Sequence, residues 1–235
     1  MQLCDIRLLA LPEVIMSCAQ CKGIVQEFDR RLAARELRRY RRRGPTGTTR
    51  RLVGALRGAG VTDASFLDIG GGIGAIQHSL LAAGASHGIH VDASPAYLEA
   101  ARDEALVRGH AHRVRYLEGD IVELASALDP VDIVTLDRVV CCYHDMPGLI
   151  DAAAGLSRRL LGLVFPQEHL PMRLAFRVIN AVQRLRRRPF NVFLHGTSAV
   201  EARVRRHGFR KLVHTTTPLW QIHLYIRDDG RAAAD

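Results

Sequence analysis

Residues 66–75 read FLDIGGGIGA: an apolar strand that carries one aspartate, Asp68, and runs straight into a glycine turn. A cofactor that must touch the backbone amides at the start of the following helix needs glycines there, because a side chain at the turn would hold it away. Two cofactor classes share that need. Gly70, Gly72 and Ala75 fit the G-x-G-x-x-G/A pattern of dinucleotide sites, while Gly70, Gly72 and Gly74 fit the G-x-G-x-G of S-adenosylmethionine (SAM) sites. The loop does not choose between them, and a third reading takes it as a plain strand-to-helix turn.

Outward from the loop, strands and helices alternate, the pattern of a doubly wound, mostly parallel sheet. Strands are predicted at Ser65–Ile69, His87–Val91, Val114–Glu118, Val131–Leu136 and Leu160–Phe165. Between them fall a helix reaching Ala83, one from Pro95 to about Gly109 behind an N-cap at Ser94, and one near Leu149–Arg159. Thr197–Arg206 reads as a last helix, and KLVHTTTPLWQIHLYIR (211–227) as two strands turning at Thr217-Pro218. Upstream, Phe28, Leu32, Ala33, Leu37 and Tyr40 recur at helical spacing over Glu27–Arg43, and Gly44-Pro45 ends that run. Thr48 or Thr49 then caps a helix through about Arg57.

Acids at successive strand ends break the tie, since ligands of such sheets lie across the carboxyl ends of the strands. Asp68 stands where a nicotinamide site is usually apolar, and an anion there suits the ammonium and sulfonium of SAM. Asp92 ends the second strand, where ribose hydroxyls need an acceptor; both cofactors use that feature. Asp120 ends the third strand and Asp137 the fourth.

In order and spacing, FLDIGGGIG, VDAS, EGDIVEL and VDIVTLDRVV resemble the successive motifs of class I SAM-dependent methyltransferases, over about residues 46–227. The resemblance implies an α/β fold: a doubly wound, mostly parallel seven-stranded sheet with an antiparallel last strand, plus an N-terminal helical extension. It implies SAM as cofactor, with Gly70, Gly72 and Gly74 letting the methionine part approach the backbone and Asp68 holding its amino group. Asp92, with Ala93 beside it, would take the ribose hydroxyls, Asp120 with Ile121 the adenine, and Asp137 with Arg138 would line the cleft beside the sulfur. Residues 1–45 would form an extension whose basic helix, with Tyr40, makes a lid, and residues 46–235 the methyltransferase domain.

Methyl transfer to a hydroxyl asks for alignment and a base within reach. The N/D-P-P-Y/F tetrapeptide of base and glutamine methylation is absent; the sequence reads DRVVCCYHD. Tyr143, His144, Asp145 and His195 are the polar groups this topology could bring near the methyl, and Tyr143, His144 and His195 are the catalytic candidates. An insertion at about 167–194 follows the fifth strand. In it Leu174, Ala175, Val178, Val182 and Leu185 mark one helical face and Arg173, Arg177 and Arg184 another. Its readings are an acceptor lid, a basic amphipathic helix on anionic lipid, and a helix packed on the core. The segment ending in FLHGTSAV is loosely similar to the corresponding part of magnesium-protoporphyrin methyltransferases, whose usual DxGCGTG loop stands here as DIGGGIG.

The chain has 235 residues, 48% of them hydrophobic, and a net charge of +9, which points to an anionic partner. Ten arginines lie between Arg30 and Arg51. Aromatic content of only 6%, with no recognition module, weighs against nucleic acid as the partner. Five cysteines argue for reduced thiols, and Cys18-x-x-Cys21 has no second pair, so no metal site is expected. Cys141 and Cys142 read as small residues of a buried strand. The start lacks a basic leader and no apolar run suffices for a membrane span, so a cytoplasmic protein is expected; Met16 is an alternative initiator. The expected activity is methyl transfer to a small anionic or hydrophobic metabolite, at oxygen. The alternatives are an RNA methyltransferase using the arginines and a SAM-binding protein without catalysis. Oligomeric state is not legible.

Overall fold

The computed structural model describes residues 19–228, so Met16 and Cys18 lie outside the described residues. Two helices, α1 (Ala19–Glu27) and α2 (Arg30–Arg43), precede α3 (Gly47–Gly58). Alternation then begins: β1 (Ser65–Ile69), α4 (Ala75–Ala82), β2 (His87–Asp92), α5 (Pro95–Val107), β3 (Val114–Glu118), α6 (Ile121–Leu124) and β4 (Val131–Asp137). The chain continues through α7 (Met146–Gly155), β5 (Ser157–Pro166), α8 (Leu170–Leu185), α9 (Thr197–Arg206), β6 (Phe209–Thr216) and β7 (Trp220–Arg227).

The seven strands lie in the order β3-β2-β1-β4-β5-β7-β6. The first five pair in parallel, and β7, the last strand in sequence, runs antiparallel to both β5 and β6. This is the Rossmann-like sheet expected from the alternating pattern. The chain reverses its strand order at β1 and β4, so a crevice opens above their carboxyl ends, where ligands of such sheets bind.

Alternate residues of each strand serve opposite faces. Phe66, Ile133, Leu160, Val164, Ile222 and Leu224 pack with Leu52, Leu56, Ile76 and Leu80 of α3 and α4. Leu67, Val134, Leu136, Leu161, Leu163 and Tyr225 pack on the other face with Leu149, Ile150 and Ala153 of α7 and Val200 and Val204 of α9. Each such side chain contributes about 1.5–3 kcal/mol by leaving water, which makes the strand floor the rigid part of the molecule.

Several local expectations are corrected. The predicted helix over Glu27–Arg43 begins three residues later, at Arg30, because Asp29 turns extended and its carboxylate accepts the Leu32 N–H at 2.8 Å; Glu27 ends the preceding helix. The cap of α3 is Thr46, whose hydroxyl accepts the Thr49 N–H, in place of Thr48 or Thr49. Helix α7 begins at Met146 and not near Leu149: Asp145 caps it through the Gly148 N–H and Pro147 fits its first turn. Cys141 and Cys142 sit in a single 3₁₀ turn, Val140–Cys142, after β4 and outside any strand.

Candidate active site

The glycine turn is built by conformation. Gly70, Gly72 and Gly74 have φ of 59°, 57° and 80°, the left-handed region that side chains disfavour. A Cβ on Gly70 would also lie 2.5 Å from a methyl of Val139. The turn is fastened to β2: the Gly70 N–H donates to the Val91 carbonyl at 2.7 Å, and the Gly72 N–H to Asp92 Oδ2 at 2.9 Å. The other oxygen of Asp92 accepts the Ser94 N–H at 2.8 Å, so one carboxylate fixes both the glycine turn and the start of α5. Burial still outweighs these bonds and raises the acid to about 6.

Asp68 is the most anomalous group. It is 1% exposed; Oδ1 accepts the Thr135 hydroxyl at 2.7 Å, and buried Oδ2 has no hydrogen-bond partner among the described residues. Burial, opposed by the Thr135 bond and assisted by Asp137 and Asp92, pushes its pKa up to about 7. Such a group is costly unless a cation or donor meets it. Asp120 caps α6 through the Val122 N–H and takes the Tyr143 hydroxyl on Oδ2 at 2.6 Å. Asp137 accepts the Thr49 hydroxyl at 2.5 Å and the Arg138 Nε–H at 3.1 Å, tying β4 to α3. Arg138 itself has a φ of 64°.

Over these strand ends lies a cavity of about 510 Å³. Its floor is Asp68, Gly70, Gly72, Asp92, Ala93, Asp120, Ile121, Asp137 and Arg138, and Tyr40 and Tyr143 stand in its walls. Its roof is apolar: Phe28 and Leu32 from the α1–α2 corner and α2, Phe176 and Ile179 from α8, then Phe190 and Val192. Phe28 is the hinge pin of this roof, meeting Tyr97 and Phe190 edge-on at 5.8 and 5.7 Å. Polar ties hold it shut. The Ser94 hydroxyl donates to the Phe28 carbonyl at 2.6 Å, Arg41 pairs with buried Glu104 at 2.7 Å, and Gln183 donates to Glu27 at 3.1 Å. Tyr40 is buried between the His78 ring and the Arg108 guanidinium, and burial raises its phenol.

Of the residues singled out in the sequence, Gly74 does not reach the cavity lining; it caps α4 in a left-handed turn. Tyr143 lines the cavity, whereas His144 is exposed and stacks on the outer side of the Tyr143 ring. His195 donates from Nε2 to the Tyr143 carbonyl at 2.8 Å and lines a separate open groove with Glu168, Arg173 and Arg177. Asp145 is spent as the cap of α7. Sequence reasoning missed Glu36, Thr49 and Tyr97, all of which line the cavity. Burial, then the nearby Glu36 carboxylate, raises the Tyr97 phenol. No group of three or more His, Cys, Asp or Glu side chains able to hold a metal occurs among the described residues.

Parallel strands with a fastened glycine turn, acids at four successive strand ends and a largely apolar roof define the class: a Rossmann-like α/β fold with a crevice over its carboxyl strand ends. Residues 66–160, from β1 into β5, match the model of the family described as methyltransferase domain. Those residues, about two fifths of the chain, are similar to that methyltransferase domain. None of the curated proteins matches the chain in sequence.

Solved structures share the fold. Magnesium protoporphyrin IX methyltransferase (ChlM) from Synechocystis PCC 6803, with bound SAH, is 19% identical, with 89% of this chain and 100% of that one covered at a TM-score of 0.68. The mitomycin 7-O-methyltransferase MmcR is 21% identical over 70% of this chain and 49% of its own, with a TM-score of 0.54. A putative RNA methyltransferase, PH1948 from Pyrococcus horikoshii, is 15% identical over 80% and 86%, with a TM-score of 0.57. A fold shared across such different named acceptors leaves the acceptor to be read from this chain's own cavity. Among the described residues no helix is long and apolar enough to cross a membrane.

Proposed function

We propose that this protein is a SAM-dependent methyltransferase that acts on a small, largely apolar metabolite and methylates an oxygen that is already anionic, a carboxylate or an acidic phenol. The observation that carries the reading is the roof: Phe28, Leu32, Phe176, Ile179, Phe190 and Val192 enclose the acceptor side, and no histidine among the described residues lines this cavity. An apolar acceptor gains by burial against those side chains, and an anionic oxygen needs alignment but no base.

The floor fits SAM on this chain's own chemistry. Asp68 Oδ2, buried and unpartnered, suits an ammonium, and the left-handed glycines leave the backbone amides of the turn open to the methionine part. Asp92 keeps lone pairs for ribose hydroxyls beyond those used by Gly72 and Ser94, and Asp120 with Ile121 would border the adenine. Asp137 and Arg138 would stand beside the sulfur. When bound, SAM supplies a methyl group on a sulfonium, open to in-line displacement. The roof excludes water from that centre, so that the acceptor alone competes for it. Tyr143 borders the acceptor and positions it; His195 holds Tyr143 through its carbonyl, and neither imidazole takes a proton.

Calorimetric titration with SAM and SAH, followed by methyl transfer from labelled SAM to a panel of aromatic carboxylates, phenols and unmodified RNA, tests this. Label in an ester or ether of a small acceptor is the expected result. Label in RNA alone, or SAM binding with no product from any acceptor, would overturn it.

A further inference from the structure

The helix that roofs the cavity has an outer face with no protein partner among the described residues. Leu170 is 77% exposed, Leu174 61%, Val178 54% and Leu185 85%. These residues, with Val182, follow one another three or four positions apart, so they form a single stripe along α8. Its inner side is occupied: Met172 and Gln183 are buried, and Phe176 and Ile179 line the cavity. A monomeric protein in water rarely leaves so continuous an apolar stripe bare.

Charge says what covers it. Residues 170–188 hold six arginines, Arg173, Arg177, Arg184, Arg186, Arg187 and Arg188, and no acid. Arg173, Arg177 and Arg184 run along one border of the stripe, and Arg186–Arg188 cluster where the helix ends. Arg173 and Arg188 meet Glu168 and Glu27; the other four have no ion pair among the described residues. A second copy packed face to face would set arginine against arginine. An anionic surface with an apolar interior satisfies both halves at once, since apolar side chains enter the acyl boundary while arginines meet lipid phosphates.

We propose that α8 docks this enzyme on anionic lipid bilayers. The helix lies in the interface with Leu170, Leu174, Val178, Val182 and Leu185 inserted and the arginines at the headgroups. One consequence rests on the proposed function above: a lipophilic acceptor dissolved in the bilayer would meet the cavity across α8. The docking itself does not depend on that reading.

The test is flotation of the full chain with vesicles of phosphatidylcholine alone and of phosphatidylcholine mixed with phosphatidylglycerol, at low and high salt. The protein is expected to float with the mixed vesicles and to release as salt rises. The variant L174S/V178S/L185S should lose at least about tenfold in vesicle affinity, and R177Q/R184Q/R187Q about fivefold per arginine on the anionic vesicles only. Calorimetric SAM binding, unchanged in both variants, shows that they are folded. Failure to float, or flotation undiminished in L174S/V178S/L185S, would overturn the proposal. So would a dimer in analytical ultracentrifugation that the same variant dissociates, which makes a second copy the occupant. Flotation only after removal of residues 1–18 would assign the face to that segment and overturn it as well.

Discussion

At the floor of the cavity every strand-end acid but one oxygen is engaged: Asp92 by the Gly72 and Ser94 amides, Asp120 by Val122 and Tyr143, Asp137 by Thr49 and Arg138. At the roof the ties are fewer, and they join distant segments through partly exposed Glu27, which meets buried Gln183 and partly exposed Arg188. The floor is rigid because its polar groups are bonded within a buried sheet. The roof is held mainly by aromatic edges at Phe28 and by long side chains, which gives it room to admit an acceptor. A common floor under a particular roof explains how one fold serves acceptors as unlike as those named for its structural relatives.

If the floor is the rigid half, its substitutions should cost most. Gly70→Ala adds a Cβ 2.5 Å from Val139 at a φ of 59°. Strain and overlap together cost about 2–4 kcal/mol. We expect a melting temperature lower by roughly 5–10 °C, with SAM affinity down more than about 100-fold by calorimetry. Unchanged affinity would mean that the turn yields, and the contrast between floor and roof would fail.

Asp92→Ala comes next. It strips the acceptor from two amides, Gly72 and Ser94, each bond to a charged group being worth about 1.5–3 kcal/mol. SAM affinity is expected to fall about 30- to 100-fold with the protein still folded. A loss under about threefold would remove the ribose role from this residue.

The third prediction concerns pH. Burial raises Asp68 to about 7 and Asp92 to about 6, both above the ordinary carboxylate value of 3.8. A raised folded-state value means that these groups stabilise the fold fully below about pH 4 and that the contribution is lost as pH rises through 6 and 7. The ligand-free protein should therefore lose stability across that window, and Asp68→Asn should flatten its upper part in melting curves. A cation over Asp68 reverses the sign for binding. SAM affinity should rise with pH up to about 7, with proton release seen as a buffer-dependent heat. Binding without proton release near pH 6 would show that Asp68 is not the counter-ion.

Local chemistry decides what the sequence revealed of these two halves. The floor was legible because each of its groups is announced by immediate neighbours: a glycine after a strand, an acid at a strand end, Ser94 ahead of Pro95. Strand bounds followed within a residue or three for the same reason. The roof was not, because its contacts join positions far apart. Gln183 reaches Glu27 across 156 residues and Gln20 reaches Asn191 across 171, and nothing near either residue signals the partner. The start of α2 at Arg30 was hidden because Phe28, outside the helix, also fits the apolar period, and only the Asp29 cap geometry sets the boundary. Glu36, alone among arginines, resembles a solvated ion-pair partner and yet faces the cavity.

The smallest effects belong to the roof side, at Tyr143, His195 and His144, and they separate positioning from proton transfer. Tyr143→Phe removes the hydroxyl bonded to Asp120 at 2.6 Å but keeps the ring in the cavity wall. A lost bond to a partly solvated carboxylate should lower turnover by about tenfold or less. His195→Ala acts at one remove, through the Tyr143 carbonyl it supports at 2.8 Å, and should cost about threefold. His144, exposed and stacked on the Tyr143 ring, should tolerate alanine within about twofold. The pH profile of kcat distinguishes the two interpretations. With an anionic acceptor it should follow the acceptor's own ionisation and stay the same in both histidine variants. A limb near neutral pH that vanishes with His195 or His144 would make that imidazole the base, and the roof would then carry chemistry as well as shape.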